Sequence, residues 1–157
     1  MRHLLFLLMI SMSSVVFTRD RPDISALAAN ELIATGREAV AREDWRKAQI
    51  DLLEAVREDP SNADAHNLLA YTYRKQNNPN LVKAFEHYKV ALAIDPQHRG
   101  AHEYIGEAYL IAGQPKKAQE HLMALEHICG DRQCDEYKDL AQAIAEFQQN
   151  SQPWQKP

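Results

Sequence analysis

Residues 48–60 read AQIDLLEAVREDP, residues 84–96 read AFEHYKVALAIDP, and residues 118–130 read AQEHLMALEHICG. Each stretch begins with alanine and has a large residue four positions later, and the first two end in proline. The starting alanines are separated by 36 and then by 34 residues. A period in this range on helix-forming sequence indicates a stack of helix pairs, an architecture that binds other molecules more often than it performs chemistry.

The sequence before each stretch predicts the first helix of the pair. Apolar residues at three- and four-residue steps place one helix over 24–42, and Asp44 has the position of an N-cap for a second helix over 45–58. Pro60 cannot continue that second helix. The same layout predicts a domain over 24–149, made of repeats at 29–62, 63–98 and 99–132 and a capping helix at 135–149, followed by an irregular tail at 150–157.

The composition limits the class of protein. A chain of 157 residues is long enough for one domain, and 45% hydrophobic with 25% charged residues is ordinary for a folded protein. The formal net charge of −4 contains no basic surplus. The composition therefore does not favour nucleic acid or an anionic membrane as the main ligand.

The first 18 residues have the layout of a secretory signal peptide. Arg2 supplies a basic start, Leu4–Phe17 is a largely apolar run of 14 residues, and a charged segment begins at Arg19. This run is shorter than the roughly 20 residues that a membrane-spanning helix needs. We therefore expect residues 1–18 to be a cleaved signal, with export to a bacterial periplasm and at most a transient membrane contact. The alternatives are an uncleaved anchor or a cytosolic protein with an apolar start.

Two of the predicted first helices contain the same three-residue pattern. A large residue is followed directly by a small one, and an aromatic residue comes three positions after the small one: Leu69–Ala70–Tyr73 and Ile105–Gly106–Tyr109. Together with the alanine series of the second helices, this pattern resembles the tetratricopeptide repeat (TPR) family over residues 29–132. The first repeat departs from the pattern, because Thr35–Gly36–Ala39 has alanine in place of the aromatic residue. The resemblance implies an all-α fold, a right-handed superhelical α-solenoid of three helix pairs and a capping helix.

The resemblance also implies a binding surface. In this family the first helices of successive pairs line a concave groove that holds a segment of a partner protein. The positions that face the groove correspond here to Arg37, Asn67, Tyr71, Arg74, Lys75, Glu103, Tyr104 and Glu107. Members that grip a C-terminal carboxylate have lysine and asparagine where this chain has Ile33 and Arg37, so that mode is not expected. The alternative is that these are solvated residues and that the stack binds through another face.

The only two cysteines, Cys129 and Cys134, flank a four-residue turn before the capping helix. In an exported protein this spacing predicts a structural disulfide. The sharper alternative is a redox-active pair, but the spacing is not Cys-x-x-Cys. His98 and His102 are four residues apart, as metal ligands on a helix can be, but the repeat pattern places His102 at the same packing position as His66.

No set of nucleophile, base and acid is recognisable, and five scattered glycines do not form a phosphate-binding loop. The sequence therefore predicts a non-enzymatic scaffold or adaptor without cofactor, metal or small-molecule substrate. It is expected to hold a peptide segment or helix of a protein in the cell envelope. The alternatives are an assembly subunit of a larger envelope complex, or a redox- or metal-handling accessory protein that uses Cys129 and Cys134.

Overall fold

The computed structural model describes residues 24–150, and this part of the chain forms seven α-helices. They are α1 Ile24–Ala41, α2 Trp45–Glu58, α3 Ala63–Lys75, α4 Leu81–Ile94, α5 Arg99–Ile111, α6 Pro115–Cys129 and α7 Asp135–Asn150. The predicted signal segment and residues 151–157 of the predicted tail lie outside the described residues. Residue 150, which the sequence assigned to the tail, is the last residue of α7.

The helices pack as pairs, and the pairs stack on one another in chain order. α1 packs on α2, α3 on α4, and α5 on α6, while α7 packs on both α5 and α6. The first helices of the pairs also touch in sequence order, α1 to α3, α3 to α5, and α5 to α7. The predicted all-α stack of helix pairs is therefore confirmed, and α7 takes the place of the first helix of a fourth pair.

Polar side chains begin four of the helices. Asp44, Asn62 and Asn80 each accept a hydrogen bond from the backbone N–H three residues later, at 3.1 Å in every case. Such caps satisfy one of the N–H groups that a helix start leaves unpaired. At α5 the cap is His98, whose Nδ1 accepts from the N–H of Ala101 at 3.1 Å. This role uses the Nδ1 lone pair of His98, the histidine that the sequence left open as a metal ligand.

The recurring alanine and the large residue after it pack as the sequence indicates. Ala48, Ala84 and Ala118 are fully buried, and so are Leu52 and Tyr88. Small side chains let the two helices of a pair approach closely, while the large side chains fill the space between successive pairs.

Two glycines mark places where backbones lie too close for a side chain. A Cβ added to Gly36 of α1 would lie 2.8 Å from Cγ of Leu52, and one added to Gly106 of α5 would lie 2.6 Å from a methyl group of Leu140. The first contact closes the α1–α2 pair, and the second brings α7 against α5. The small residue of the family pattern at Gly106 thus accommodates the last helix.

A pair of histidines links the two helices of the second repeat. His66 of α3 and His87 of α4 have their Nδ1 atoms 3.0 Å apart, and Nε2 of His66 donates to the carbonyl oxygen of Pro60 at 3.0 Å. Since Nε2 carries the proton of the neutral ring, Nδ1 of His66 accepts from Nδ1–H of His87. The ring of His87 stacks on that of Tyr73, with centroids 5.8 Å apart.

The third repeat has the same arrangement. His102 and His121 have their Nδ1 atoms 2.9 Å apart, Nε2 of His102 donates to Pro96 at 3.1 Å, and His121 stacks on Tyr109 at 5.7 Å. In both repeats a lysine one turn before the second histidine lies over the tyrosine ring. The histidine pairs are therefore part of the helix-pair contact, as the repeat pattern predicts for His66 and His102.

The two departures from a regular repeat lie at turns. Residues 76–80 join α3 to α4, two residues more than the connections within the other pairs, and the N–H of Asn80 closes the turn on the carbonyl oxygen of Tyr73. Beyond α6, Gly130 has a left-handed φ of 72° and ends the helix. Cys129 and Cys134 form a disulfide across this turn, with Cα atoms 6.2 Å apart, so the bond ties the end of α6 to the start of α7.

Candidate functional site

A groove lies on the face shared by α3, α5 and α7. At its α7 end it contains a cavity of about 310 Å³. Residues from all three helices line this cavity: Arg74, Glu107, Leu110, Ile111, Ala143, Glu146, Phe147 and Asn150. The resemblance places the binding surface on these first helices, and the α3–α5–α7 groove is where the structure provides a concave surface on them.

An aromatic row lies at the α2–α3 end of this groove. The ring centroids of Trp45 and Tyr71 are 6.3 Å apart, and those of Tyr71 and Tyr104 are 4.8 Å apart. All three side chains are partly exposed. Sequence reasoning predicted the two tyrosines but missed Trp45, which belongs to α2. Its position directly after the N-cap Asp44 is the signal that places it at the turn where α2 begins beside α3.

Arg74 lies beneath the aromatic row instead of reaching out of it. Its guanidinium carbon is 5.1 Å from the ring centroid of Tyr71 and 5.5 Å from that of Tyr104. Nη1 forms an ion pair with Glu107 at 2.5 Å, and Nε donates to the hydroxyl of Tyr88 at 3.3 Å. With 7% of its surface exposed, Arg74 positions the two tyrosines and is not a free cation for a partner.

Glu103 is the most perturbed acid of the groove. Only 8% of its surface is exposed. Burial, followed by the negative charges of Glu107, Asp139 and Glu136, raises the pKa of the Glu103 carboxyl to about 8. Arg74 acts in the opposite direction but does not offset these effects. The α5–α7 end of the groove is therefore acidic, and α7 contributes to that acidity.

The remaining predicted residues lie elsewhere on the same face. Asn67 is 5% exposed, its Oδ1 has no hydrogen-bond partner within residues 24–150, and its Nδ2 is next to Gly100 of α5. Lys75 is exposed at the rim, with Nζ 5.9 Å from the ring centroid of Tyr71. Arg37 is exposed on α1, where its charge acts on Asp64, away from the aromatic row.

The structure thus brings four of the eight predicted residues into one cluster: Tyr71, Arg74, Tyr104 and Glu107. Glu103 adjoins this cluster, Lys75 lies at its rim, Asn67 is buried beside Gly100, and Arg37 lies away from it on α1. Whether a partner touches any of them stays a prediction.

A larger cavity of about 570 Å³ lies where α3 and α5 begin. Its acidic residues include Asp64, which accepts from Nε2 of His98 at 3.1 Å, while Asn62 and His98 cap the two helices. Its polar groups thus already serve the helix starts. Within residues 24–150, no three histidine, cysteine, aspartate or glutamate side chains converge to hold a metal ion. Nor does any helix of that range have the length and apolar character to cross a membrane.

Comparisons with known proteins agree with this fold. Residues 52–84, which run from the second half of α2 through α3 to the first turn of α4, match the family model of the tetratricopeptide repeat. No curated protein matches the chain by sequence.

Solved structures of TPR domains are similar to the described fold. The TPR2B domain of yeast Sti1, in a complex with pHsp70, has a TM-score of 0.70 at 19% identity, over 79% of this chain and 98% of that chain. The TPR domain of Arabidopsis OM64 has a TM-score of 0.68 at 18% identity, over 78% and 98% of the two chains. The first TPR domain of Spaghetti (RPAP3), bound to the HSP90 peptide SRMEEVD, has a TM-score of 0.65 at 16% identity, over 76% and 95%.

These findings establish the fold of the described residues. The helix pairs recur at the spacing of the repeat, one repeat matches the family model, and solved TPR domains have the same fold. Residues 52–84 thus match the tetratricopeptide repeat, and residues 24–150 have the fold of TPR domains, with three helix pairs and a last helix, as the repeat pattern indicated.

Proposed function

We propose that this chain is a non-enzymatic protein-binding module that holds an extended segment or a helix of a partner protein in the α3–α5–α7 groove. The observation that carries the proposal is the partly exposed row Trp45, Tyr71 and Tyr104, in which Arg74 supports the two tyrosines. Aromatic side chains give a large contact area at a small cost in conformational entropy. The yeast Sti1 domain and the Spaghetti domain, whose fold is similar, are in complexes with pHsp70 and with an HSP90 peptide.

The structure changes the choice of variant for a test. Arg74 looked like a contact residue in the sequence, but it is buried and joins Glu107 to Tyr88. Replacing Arg74 by alanine would leave the partly buried carboxylate of Glu107 without its ion-pair partner and would disturb the packing around it. The sharper pair of changes is Tyr71→Ala with Tyr104→Ala, because both rings are partly exposed.

The test is crosslinking followed by affinity purification from intact cells, with the double tyrosine variant beside the unchanged chain. We expect the variant to lose most of the captured partner while its helical circular dichroism is unchanged. The matched control is Val90→Ala with Met123→Ala, two exposed apolar residues on the second helices α4 and α6. Capture that is equal for both variants and the unchanged chain would exclude the groove as the binding surface.

We further propose that the chain is exported through a cleaved signal at residues 1–18 and that its partner is a protein of the cell envelope. The layout of those residues supports this proposal. A disulfide between Cys129 and Cys134 agrees with an oxidising compartment. Cell fractionation with N-terminal sequencing of the purified chain tests it, and a chain in the cytosol that still begins at Met1 would contradict it.

A further inference from the structure

The acidic end of the α3–α5–α7 groove contains an acceptor without a donor. Glu103 is 8% exposed, and its carboxyl group makes no hydrogen bond or ion pair with any residue in the described range. Buried carboxylates are almost always paired, because an unpaired charge loses its hydration without compensation. An unpaired buried carboxyl at the edge of a groove is therefore a position to which a ligand can supply the missing donor.

The neighbours of Glu103 cannot supply that donor. Glu107 and the two acids from α7, Asp139 and Glu136, raise its pKa. Arg74, the cation whose charge lowers the pKa of Glu103, already pairs with Glu107 and Tyr88. Arg99 lies 3.6 Å from Glu136. The local cations are thus engaged elsewhere, and the site has an excess of negative charge.

A second unpaired acceptor occupies the same position of the preceding repeat. Asn67 lies 36 residues before Glu103, is 5% exposed and has an Oδ1 atom with no partner in residues 24–150. Buried side-chain oxygens without any partner are rare. Two successive first helices therefore each hold, at the equivalent position, a largely buried side chain that accepts no hydrogen bond from residues 24–150, although only the Asn67 Oδ1 atom is itself fully buried.

An apolar cavity adjoins the acids. Leu110, Ile111 and Phe147 line the cavity of about 310 Å³ together with Glu107 and Glu146. Ile111 is 54% exposed, which is high for a large aliphatic side chain. A partner that places an apolar side chain here carries its neighbouring residue close to the acids of α5 and α7.

We propose that the α5–α7 end of the groove binds a cationic side chain, lysine or arginine, of a partner segment, beside an apolar side chain in the Leu110–Ile111–Phe147 cavity. This inference rests on the proposed function and specifies the chemistry of its partner. The cation pairs with Glu103 and Asp139, and its charge offsets the repulsion among the carboxylates. A metal ion is the less favoured occupant, because within the described chain no three such side chains converge on one point.

The cation and the proton compete for Glu103. Because the pKa of Glu103 is about 8, the carboxyl is mostly protonated at pH 6 and mostly ionised at pH 9. A bound cation favours the ionised form, so binding releases a proton where the carboxyl was protonated. Affinity for a cationic segment therefore rises between pH 6 and pH 9, and affinity for a neutral segment does not.

The test uses two small probes that differ only in charge. They are N-acetyl-leucyl-arginine amide and its neutral isostere, N-acetyl-leucyl-citrulline amide. Methyl NMR signals of Leu110 and Ile111 in the full chain report occupancy of the cavity. At pH 9 we expect the arginine probe to bind at least about tenfold more tightly, as a charge-assisted contact in a partly buried site predicts. The difference should shrink as the pH is lowered to 6.

The variant for this test is Glu103→Gln, which keeps the shape of the side chain and removes its charge. It also removes a like-charge repulsion, so it is expected to fold. We expect it to abolish the preference for the arginine probe and its pH dependence. The matched control, Glu86→Gln on the exposed face of α4, should retain both.

Four results would overturn the inference: equal affinity for the two probes, no binding of either, signals that move only outside α5 and α7, or a preference that survives in Glu103→Gln. Binding of Ca²⁺ alone at these carboxylates with the same loss in Glu103→Gln would instead identify a metal site. The proposed function is judged separately by the Tyr71→Ala and Tyr104→Ala capture experiment. If the groove captures its partner but binds both probes equally, only the proposal of a cationic side chain fails, and the proposed function stands.

Discussion

The second and third repeats are nearly identical on one side and different on the other. Where the two helices of each repeat meet, His66 and His102 occupy equivalent positions, as do Tyr73 and Tyr109, and the same contacts recur to within 0.1 Å. On the groove side, Asn67 corresponds to Glu103, Tyr71 to Glu107, Arg74 to Leu110 and Lys75 to Ile111.

Each first helix packs against its own partner helix on one side and lines the groove on the other, and the two sides are under different constraints. The contact within a pair must satisfy the same geometry in every repeat, so the same residues serve twice. The groove has no such requirement, because each of its positions faces a different part of whatever lies in it. Positions that stay the same from repeat to repeat therefore report packing, and the positions that change include those to which the proposed function assigns recognition.

The largest expected effect compares a packing tyrosine with a groove tyrosine. Tyr88 is fully buried, whereas Tyr71 is partly exposed. We expect Tyr88→Ala to lower the free energy of unfolding by about 3–5 kcal/mol, the range for large aromatic residues in a core. Tyr71→Ala should lower it by about 1 kcal/mol and act mainly on partner capture. Urea unfolding followed by circular dichroism measures both, and equal losses of stability would erase the distinction between the two faces.

The next effect concerns the attachment of the last helix. A Cβ at position 106 would overlap the side chain of Leu140, so Gly106→Ala should destabilise the chain by about 1–3 kcal/mol, despite the better helix propensity of alanine. Gly100→Ala is the matched control on the same helix, because its nearest neighbour, Nδ2 of Asn67, lies at 3.3 Å on a side chain that can adjust. Thermal unfolding compares the two. A larger loss for Gly100→Ala would contradict the packing of α7 on α5.

The duplicated histidine pairs predict acid sensitivity. Burial and the facing His66 lower the pKa of His87, burial lowers the pKa of His102, and burial and His102 lower the pKa of His121 to about 4. Since the unfolded chain binds these protons more readily, the pairs contribute stability above pH 6.5 that is lost as the pH falls toward 4. Allowing for partial exposure of the rings, we expect a loss of about 1–2 kcal/mol.

Chemical denaturation at a series of pH values measures this loss of stability in acid. The variant that carries both His87→Gln and His121→Gln should lose less stability as the pH falls, because its unfolded chain no longer gains a proton at either position. Exposed His127 supplies the matched control, His127→Gln. If the double variant loses stability with acid as steeply as the unchanged chain, other groups are responsible.

The smallest effect has the opposite sign and lies in the groove. The raised pKa of Glu103 means that the folded chain holds a proton that the unfolded chain releases, so this residue costs stability as the pH rises from 4.5 through 8. Glu103→Gln should therefore stabilise the chain at pH 9 by about 1 kcal/mol, after allowance for screening by solvent. Unfolding at pH 5 and pH 9 measures it. A variant that is less stable than the unchanged chain at pH 9 would show that Glu103 serves packing.

Most of the fold follows from local patterns in the chain. The positions of the helices depend on caps such as Asp44, on terminators such as Pro60 and on the recurring alanines, all of which act over a few residues. The candidate site follows less completely. The family pattern indicates which positions face the groove, but burial of Arg74 and Glu103 and the presence of Trp45 depend on distances between helices that lie far apart in the chain.

The sequence by itself determined the period, the number of helix pairs and the packing positions of His66 and His102, and it predicted a structural disulfide between Cys129 and Cys134. These depend on residue type and spacing, which the chain displays directly. Only the tertiary structure decided that Arg74 supports the aromatic row, that α7 supplies acids to the groove and that Glu103 and Asn67 are left without donors. The reason is that burial, pairing and pKa depend on which side chains of neighbouring helices come together, and spacing along the chain does not state that.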